Sequence, residues 1–362
     1  MGHAKRFLFL IITIALLFPV DLFAGCLEGD CMNGEGAVEY PDGSVYRGTF
    51  KDGKAGGKGV LETPSGATYT GEFENNEAHG TGEMVQPDGT RYVGEFRNNL
   101  KEGRGVLTFQ NGDTYEGEFQ KDEMNGEGKY TTADGSYTYE GEFRAGKANG
   151  KGRVVLSDGL RYEGEFLNDK EHGQGTVTYP DGSTYTGAFR EGKRTGRGKL
   201  TFANGTVYEG EFRDDIITGE GTFEGADGTR YTGAFKESRF HGKGSLIRPD
   251  GKKYTGDFAD GVENGEGVIT FPDGSVYKGK VSAGLRNGEG VYTFTDGTVY
   301  EGEFVDGRME GQGHMTRPDG TDYTGGFKND DFHGEGLLLH SDGRMEEGIF
   351  ENGGYMGPGT LD

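Results

Sequence analysis

The sequence repeats itself every 23 residues, and this period constrains the fold more than any other feature of the chain. A clear copy spans residues 196–218: it opens with Gly-x-Gly, continues through an apolar run and an Asn-Gly pair, and ends in Tyr208-x-Gly210-x-Phe212. The tyrosine of this motif recurs in steps of 23, with one step of 24, throughout the chain. A fixed short period is typical of a repeat protein, in which each unit contacts only its neighbours.

Side-chain character alternates within the motif, which indicates β-strands. Tyr208, Gly210 and Phe212 fall on one side of such a strand, whereas Glu209 and Glu211 fall on the other. The residue two positions after Gly-x-Gly is apolar in every full copy. One face of the sheet is therefore predicted to be buried.

Glycines and turn residues complete the prediction of one hairpin per repeat. We expect a glycine such as Gly210 to leave a slot for an aromatic ring of the neighbouring strand. The Asp-Gly or Asn-Gly pair before the tyrosine supplies the positive φ that tight hairpin turns require. One extra residue lies between Gly135 and Tyr139, and we expect it to form a β-bulge.

These residues resemble a known family. Tyr-x-Gly-x-Phe, followed about six residues later by Gly-x-Gly, resembles the MORN (membrane occupation and recognition nexus) repeat, and the match runs from Gly34 to about Gly359. The family often has tryptophan where this chain has phenylalanine, and the chain has no tryptophan. The resemblance implies one hairpin per repeat and a role in binding or scaffolding. The predicted fold is all-β, an elongated single antiparallel sheet of about 14 tandem β-hairpin repeats.

The aromatic residues of the motif are the first candidate site, because an aromatic-lined face and the acidic face opposite it are expected to bind other macromolecules. The aromatic face consists of Tyr46, Phe50, Tyr69, Phe73, Tyr92, Phe96, Tyr115, Phe119, Tyr139, Phe143, Tyr162, Phe166, Tyr185, Phe189, Tyr208, Phe212, Tyr231, Phe235, Tyr254, Phe258, Tyr277, Tyr300, Phe304, Tyr323 and Phe327.

The amino-terminal residues differ in composition from the repeats. Lys5 and Arg6 precede an apolar run from Phe7 to Phe18, and small residues follow it, as in a secretory signal peptide. The run is too short for a membrane-spanning helix. We therefore expect a signal peptide at 1–24, an amino-terminal cap with both cysteines at 25–33, the repeat array at 34–359 and a tail at 360–362.

Cys26 and Cys31 are the two cysteines of the chain, and they allow two interpretations. They flank a predicted turn, where a disulfide would fit in an oxidising compartment. Alternatively, the sequence Phe-Ala-Gly that precedes Cys26 resembles a lipobox, in which that cysteine would carry a lipid anchor to a membrane.

The charge of the chain is strongly acidic. Its net charge is −23, and without residues 1–24 it has 36 basic and 60 acidic residues, a net charge of −24. This charge disfavours nucleic acids and anionic lipids as partners. One column of carboxylates opposite the rings could bind Ca²⁺, but a solvated face is the favoured interpretation. The column contains Glu72, Glu95, Glu118, Glu142, Glu165, Glu211, Asp257 and Glu303.

No residue pattern indicates catalysis, a cofactor or a metal. The four histidines that precede Gly-x-Gly would lie roughly 30 to 40 Å apart in a sheet, too far to share a metal, and a turn role is expected for them. They are His79, His172, His241 and His333. The Gly-x-Gly units lead into no predicted helix, so they do not indicate a phosphate-binding loop.

The predicted function is that of an exported, non-enzymatic repeat scaffold, located in the periplasm, associated with the outer membrane, or secreted. Its expected partners are other proteins, with self-association as a possibility. Two alternatives remain open: a phospholipid-binding module, and a stand-alone homologue of the MORN regulatory region of an enzyme.

Overall fold

The computed structural model describes residues 25–359, which fall into two compact units with their boundary between Lys193 and Arg194. The expected signal peptide at 1–24 and the tail at 360–362 lie outside the described residues. No helix occurs in residues 25–359, and accordingly none there is long and apolar enough to cross a membrane.

The first unit contains strands β1 to β15. They are β1 (Gly25–Gly29), β2 (Glu35–Glu39), β3 (Val45–Lys51), β4 (Lys54–Glu62), β5 (Thr68–Glu74), β6 (Glu77–Val85), β7 (Arg91–Arg97), β8 (Leu100–Thr108), β9 (Thr114–Gln120), β10 (Glu123–Thr131), β11 (Tyr137–Arg144), β12 (Lys147–Leu156), β13 (Arg161–Leu167), β14 (Lys170–Thr178) and β15 (Thr184–Arg190).

The second unit contains strands β16 to β30, the first of which begins at the boundary residue. They are β16 (Lys193–Thr201), β17 (Val207–Arg213), β18 (Ile216–Glu224), β19 (Arg230–Lys236), β20 (Arg239–Ile247), β21 (Lys253–Ala259), β22 (Val262–Thr270), β23 (Val276–Ser282), β24 (Leu285–Thr293), β25 (Val299–Val305), β26 (Arg308–Thr316), β27 (Asp322–Lys328), β28 (Asp331–Leu339), β29 (Met345–Glu351) and β30 (Gly354–Gly357).

Within each unit, every strand pairs antiparallel with the next strand in sequence. This holds from β1 to β15 in the first unit. It also holds from β16 to β30 in the second. The predicted all-β fold of tandem hairpins is confirmed.

Two kinds of turn alternate along the chain. The turn after each motif phenylalanine is tight and has positive φ at both central residues, as at Asn75 (53°) and Asn76 (73°). The turn before each motif tyrosine is wider, and there the glycine has the positive φ, as at Gly43 (85°). The Asx interaction in which Asp42 Oδ1 accepts a hydrogen bond from Ser44 N at 2.9 Å stabilises this second turn. The tighter of the two turns is thus the one after the phenylalanine, whereas the sequence pattern had pointed to the Asp-Gly turn before the tyrosine.

The extra residue of the 24-residue step is accommodated in a turn. Thr132 N donates a hydrogen bond to Tyr137 O at 3.0 Å, which makes this wide turn one residue longer than the others. Strands β10 and β11 then pair without any shift in register. The expected β-bulge is therefore wrong at this position, because lengthening a solvated turn disturbs no ladder hydrogen bond.

Bulges occur instead in the regular hairpins. In the hairpin of β17 and β18, Gly210 pairs with Gly221, but the next residue, Glu211, pairs with Thr218. Residues 219 and 220 of β18 therefore have no partner on β17 and form the bulge. The same shift follows the paired glycines in hairpins of both units. Gly219, the first glycine of Gly-x-Gly, has φ of 63° at this bulge.

The tyrosine ring lies directly over the paired glycines. A Cβ atom on Gly221 would lie 2.8 Å from Cε2 of Tyr208, and one on Gly210 would collide with the hydroxyl of the same tyrosine. The Tyr208 hydroxyl donates a hydrogen bond to Glu211 O at 3.1 Å. The ring therefore lies along its own strand and across the partner strand. The expected slot for a neighbour's ring exists at Gly221, whereas Gly210 is covered from its own strand.

Tyrosines and phenylalanines form the core of each unit. Tyr46 makes edge-to-face contacts with Phe50 of its own repeat and Phe73 of the next, at centroid distances of 5.2 and 4.8 Å. Such pairs contribute about 0.5–1.5 kcal/mol each beyond their burial. We call the side of the sheet that carries these rings the ring face, and the opposite side, which carries Glu209 and Glu211 in this alternation, the outer face.

Candidate functional site

The rings of the predicted aromatic face are not accessible. Every one of the 25 residues named for that face is at most 6 % exposed. The expectation that these rings bind partners is therefore corrected: they form the core, because the glycine rows let each ring lie flat while the next repeat's phenylalanine packs against its edge.

One variable position lies nine residues after each motif tyrosine, and its side chain can cover the ring. Phe240 stacks on Tyr231 at 3.8 Å between centroids, and Phe332 stacks on Tyr323 at 3.7 Å. Within the two units, the residues at this covering position are Ala55, Ala78, Lys101, Met124, Ala148, Glu171, Ile217, Phe240, Glu263, Arg286, Met309 and Phe332. Sequence reasoning missed them, since they share an offset from the tyrosine but no common chemistry.

Charged residues at the covering position are held by specific contacts. Glu263 is 2 % exposed and accepts a hydrogen bond from Arg248 Nη2 at 3.0 Å. The Arg286 guanidinium lies over Tyr292, 4.6 Å from its centroid, and donates to Gly307 O. Removing Arg248 would leave the buried Glu263 carboxylate without this partner, which would destabilise the fold.

Burial also fixes the protonation of the tyrosines. Desolvation raises the pKa of Tyr208, Tyr231 and Tyr254 from 10.0 to about 12. Each hydroxyl is a neutral donor at pH 7, as any tyrosine would be, and burial extends this state to higher pH. The hydroxyl of Tyr254 donates to Asp257 O at 2.9 Å. These groups serve the backbone of the adjacent bulge.

The acidic column on the outer face has a structural role that the sequence did not indicate. Glu142 Oε1 accepts a hydrogen bond from Lys151 N at 2.8 Å, nine residues later, where the bulge leaves this N–H without a ladder partner. Glu95, Glu165, Asp257 and Glu303 accept the equivalent bond in their hairpins. Glu95, Glu142, Glu165 and Glu303 are exposed, as expected for a solvated face, and they also hold the bulges of their hairpins. In residues 25–359, no group of three or more His, Cys, Asp or Glu side chains is placed to hold a metal ion.

The histidine column lies in strands, so the expected turn role is wrong. His79 belongs to β6 and pairs with Glu72 across the hairpin, directly before the bulge glycine Gly80. Each of these histidines is the third residue of its strand, two residues inside the strand end, which the spacing alone did not reveal.

The two cysteines form a disulfide with a Cα–Cα distance of 6.1 Å. It joins β1 to the turn that leads into β2, at the amino-terminal edge of the first unit. A sulfur atom in a disulfide is not available for a lipid thioether, so this arrangement and acylation of Cys26 exclude each other.

Several solved structures are distantly similar to this chain. A SAS-4 TCP domain in complex with a proline-rich motif, from Drosophila melanogaster, is 16% identical and has a TM-score of 0.29, over 49% of this chain and 90% of that one. A TCP10 domain of Danio rerio CPAP in complex with a STIL peptide is 16% identical with a TM-score of 0.20, over 80% and 96%. A streptogramin B lyase is 14% identical with a TM-score of 0.13, over 83% and 94%. No functional argument follows from such scores, and no curated protein sequence matches the chain significantly.

The family comparison is decisive by contrast. The sequence model described as MORN repeat matches residues 46–68, 69–91, 92–114, 115–137, 139–161, 162–184, 185–207, 208–230, 231–253, 254–276, 277–299, 300–322 and 323–343. These 13 matches cover most of the chain and keep the register of the observed hairpins. The resemblance predicted from Tyr-x-Gly-x-Phe and Gly-x-Gly is confirmed. This chain belongs to the MORN repeat family.

Proposed function

We propose that this MORN repeat protein is an exported, non-enzymatic scaffold that binds other proteins. The observation that carries the proposal is that each repeat uses different residues for packing and for its exposed surface. The repeated tyrosines, phenylalanines and glycines are used in internal packing, while the outer face changes chemistry from repeat to repeat. A constant frame with variable surface residues is how repeat proteins recognise partners.

The chemistry of the described residues supports a binding role. The buried tyrosines are protonated at pH 7, and the carboxylates of the outer column bind backbone N–H groups of their own hairpins. The polar groups that recur in most repeats are thus used to hold the fold together, which leaves recognition to the variable side chains of the outer face.

The proposed location is outside the cytoplasm: in the periplasm, at the outer membrane or in the medium. Two features support it. The sequence of residues 1–24 has the charged, apolar and small-residue regions of a signal peptide, and Cys26 and Cys31 form a disulfide, which persists in oxidising compartments.

The test is capture of partners from an envelope extract with the tagged protein as bait. We expect the same protein to be captured reproducibly, to bind as a purified component, and to be lost when charged residues on the outer face are neutralised. Failure of every captured protein to bind in purified form would refute the scaffold function. Capture of a catalytic subunit whose activity the array changes would favour the alternative of a stand-alone regulatory region.

One observation favours the membrane alternative. The outer face of β28 and β29 exposes four apolar side chains: Leu337 (40 %), Leu339 (38 %), Met345 (67 %) and Ile349 (36 %). The net charge of −24 without residues 1–24 opposes attraction to anionic lipids. We expect the protein to remain in the supernatant with anionic vesicles at low salt. Sedimentation that Met345→Ser abolishes would place membrane binding first.

A further inference from the structure

The outer face of strands β19–β23 has more cations than anions, although the protein is acidic. Residues 230–282 contain nine basic and seven acidic residues, against a net charge of −23 for the chain. On the outer face of these strands the alternation places Arg230, Lys243, Lys253, Lys278 and Lys280, together with the acidic residues Asp257 and Glu266. Lys253, Lys278 and Lys280 form no ion pair with a described residue. This part of the surface is therefore suited to a ligand of negative charge.

A trough of about 540 Å³ lies in the same face. Small polar side chains form its floor, and among them Ser245 Oγ lies 3.2 Å from Thr255 Oγ1. Lys243, Lys278 and Glu266 line the trough. The Lys243 ammonium pairs with Asp257 Oδ1 at 2.7 Å, so the Lys278 ammonium and the hydroxyls are the donors open to a ligand in this space. Each of these groups can donate hydrogen bonds to a carboxylate.

One hairpin of this face lacks its own carboxylate. In the hairpins described above, a glutamate or aspartate accepts a hydrogen bond from the N–H nine residues later. In the hairpin of β19 and β20, Ala234 occupies the carboxylate position, so Lys243 N has no such acceptor. On the other side of β19, Ala234 pairs with Glu220 of β18. A Cβ atom on Gly242 would lie 3.4 Å from Cβ of Ala234, where equivalent glycines meet the carboxylate itself.

We propose that the outer face of β19–β23 binds an acidic peptide segment of a partner protein, with one of its carboxylates beside Ala234, at the position that Glu or Asp fills in other repeats. The inference rests on the scaffold function proposed above and names a surface for it. The internal carboxylates show that the bulge N–H binds a carboxylate. Lys278 and the hydroxyls of the trough then hold the remainder of the segment, since charge-assisted hydrogen bonds are stronger than neutral ones.

The test uses a fluorescent hexaglutamate peptide as the probe and the full chain as the receptor, with binding followed by fluorescence anisotropy. We expect saturable binding that weakens as salt rises. Ala234→Glu should weaken it at least about tenfold, because the new side chain fills the site and repels the probe. The control is Ala188→Glu, which adds the same charge in the same column of another hairpin and should leave binding within about twofold. Lys278→Gln should weaken binding without lowering the melting temperature.

Four results would overturn the proposal. One is equal binding by the parent protein and Ala234→Glu, and another is an equal loss with Ala188→Glu, which would indicate a general charge effect. The third is displacement of the probe by inorganic phosphate at equal concentration, which would indicate a free-anion site. The fourth is salt-sensitive self-association that Ala234→Glu abolishes, which would make a second copy the occupant. If captured partners bind Ala234→Glu unchanged, this site fails while the scaffold function stands.

Discussion

Glycine at the paired positions of each hairpin is needed for contact between a ring and the backbone. Gly210→Val would drive a branched side chain into the Tyr208 hydroxyl and the Cα of Gly221, which a Cβ atom would approach to 2.7 Å. We expect a loss of up to about 3 kcal/mol from overpacking. Glu209→Ala, one residue away on the outer face, should cost almost nothing. Thermal melts of both variants test this, and equal shifts would mean that the two faces are assigned wrongly.

The capping carboxylates make a second prediction at the residue scale. Glu95→Ala removes the acceptor that lies 3.0 Å from Arg104 N and leaves that N–H to water. We expect a loss of about 1 kcal/mol. Glu116→Ala is the matched control, since Glu116 lies on the same face, in the equivalent strand of the next repeat, and accepts no such bond. Denaturant melts that show the same small effect for both would contradict a capping role.

The sequence indicated the burial of residues such as Tyr208 and Phe212 but not the role of Glu95. Alternation with a period of two identifies which side chains share a face, and it is insensitive to what each polar side chain contacts. The carboxylate caps depend on a bulge of two residues, and a bulge changes the local register without changing the composition. A glutamate that caps a bulge and one that faces water look alike in the sequence.

At the scale of the element, hydrogen bonds from the tight turn of each hairpin connect it to the preceding hairpin. Asn99, at φ of 67°, donates its backbone N–H to Ala78 O at 3.1 Å, and its Oδ1 accepts from Ala78 N at 2.8 Å. Asn76 makes the same pair of bonds to Ala55. Each tight turn is thus bonded to the hairpin that precedes it.

Substitutions at Asn99 can separate the two contributions of this turn residue. Asn99→Gly keeps the positive φ and loses the side-chain bond, so we expect a loss of about 1 kcal/mol. Asn99→Ala loses the bond and also strains the backbone, for a total of about 2 kcal/mol. The free energies of unfolding in urea measure the difference. Identical values for the two variants would show that the conformation of the turn contributes nothing.

The hairpins themselves were predictable, whereas the division between the two turn types was not. Strand alternation and the Asp-Gly pairs place a turn on each side of the motif. Asn98-Asn99 and similar pairs tolerate positive φ at both residues, but their sequences are polar and varied, so they carry no common signature. The extra residue near Tyr137 was misplaced for the same reason, since sequence spacing does not separate a longer turn from a bulge.

At the scale of the whole molecule, the buried tyrosines predict a sharp alkaline transition. Desolvation raises the pKa of Tyr254, Tyr277 and Tyr323 from 10.0 to about 12. Because the folded state favours the neutral phenol, this contribution to stability is complete below pH 10 and is lost as the pH rises toward 12. We expect tyrosinate absorbance and the loss of the β-sheet circular dichroism signal to rise together above pH 10. Complete ionisation with an unchanged sheet signal would contradict burial of the rings.

The bonds between a tight turn and the preceding hairpin span 21 residues in both units, as from Ala55 to Asn76 and from Met309 to Asp330. A bond with that sequence offset forms between neighbouring repeats whatever the total number of repeats in the array. Recombination that deletes or duplicates the codons of one whole 23-residue repeat would leave the offset of every remaining bond intact. Most insertions of another length would break at least one of these hydrogen bonds. The length of such an array can therefore change in evolution without any change in its internal contacts, and a lineage can adjust the number of surfaces it offers one repeat at a time.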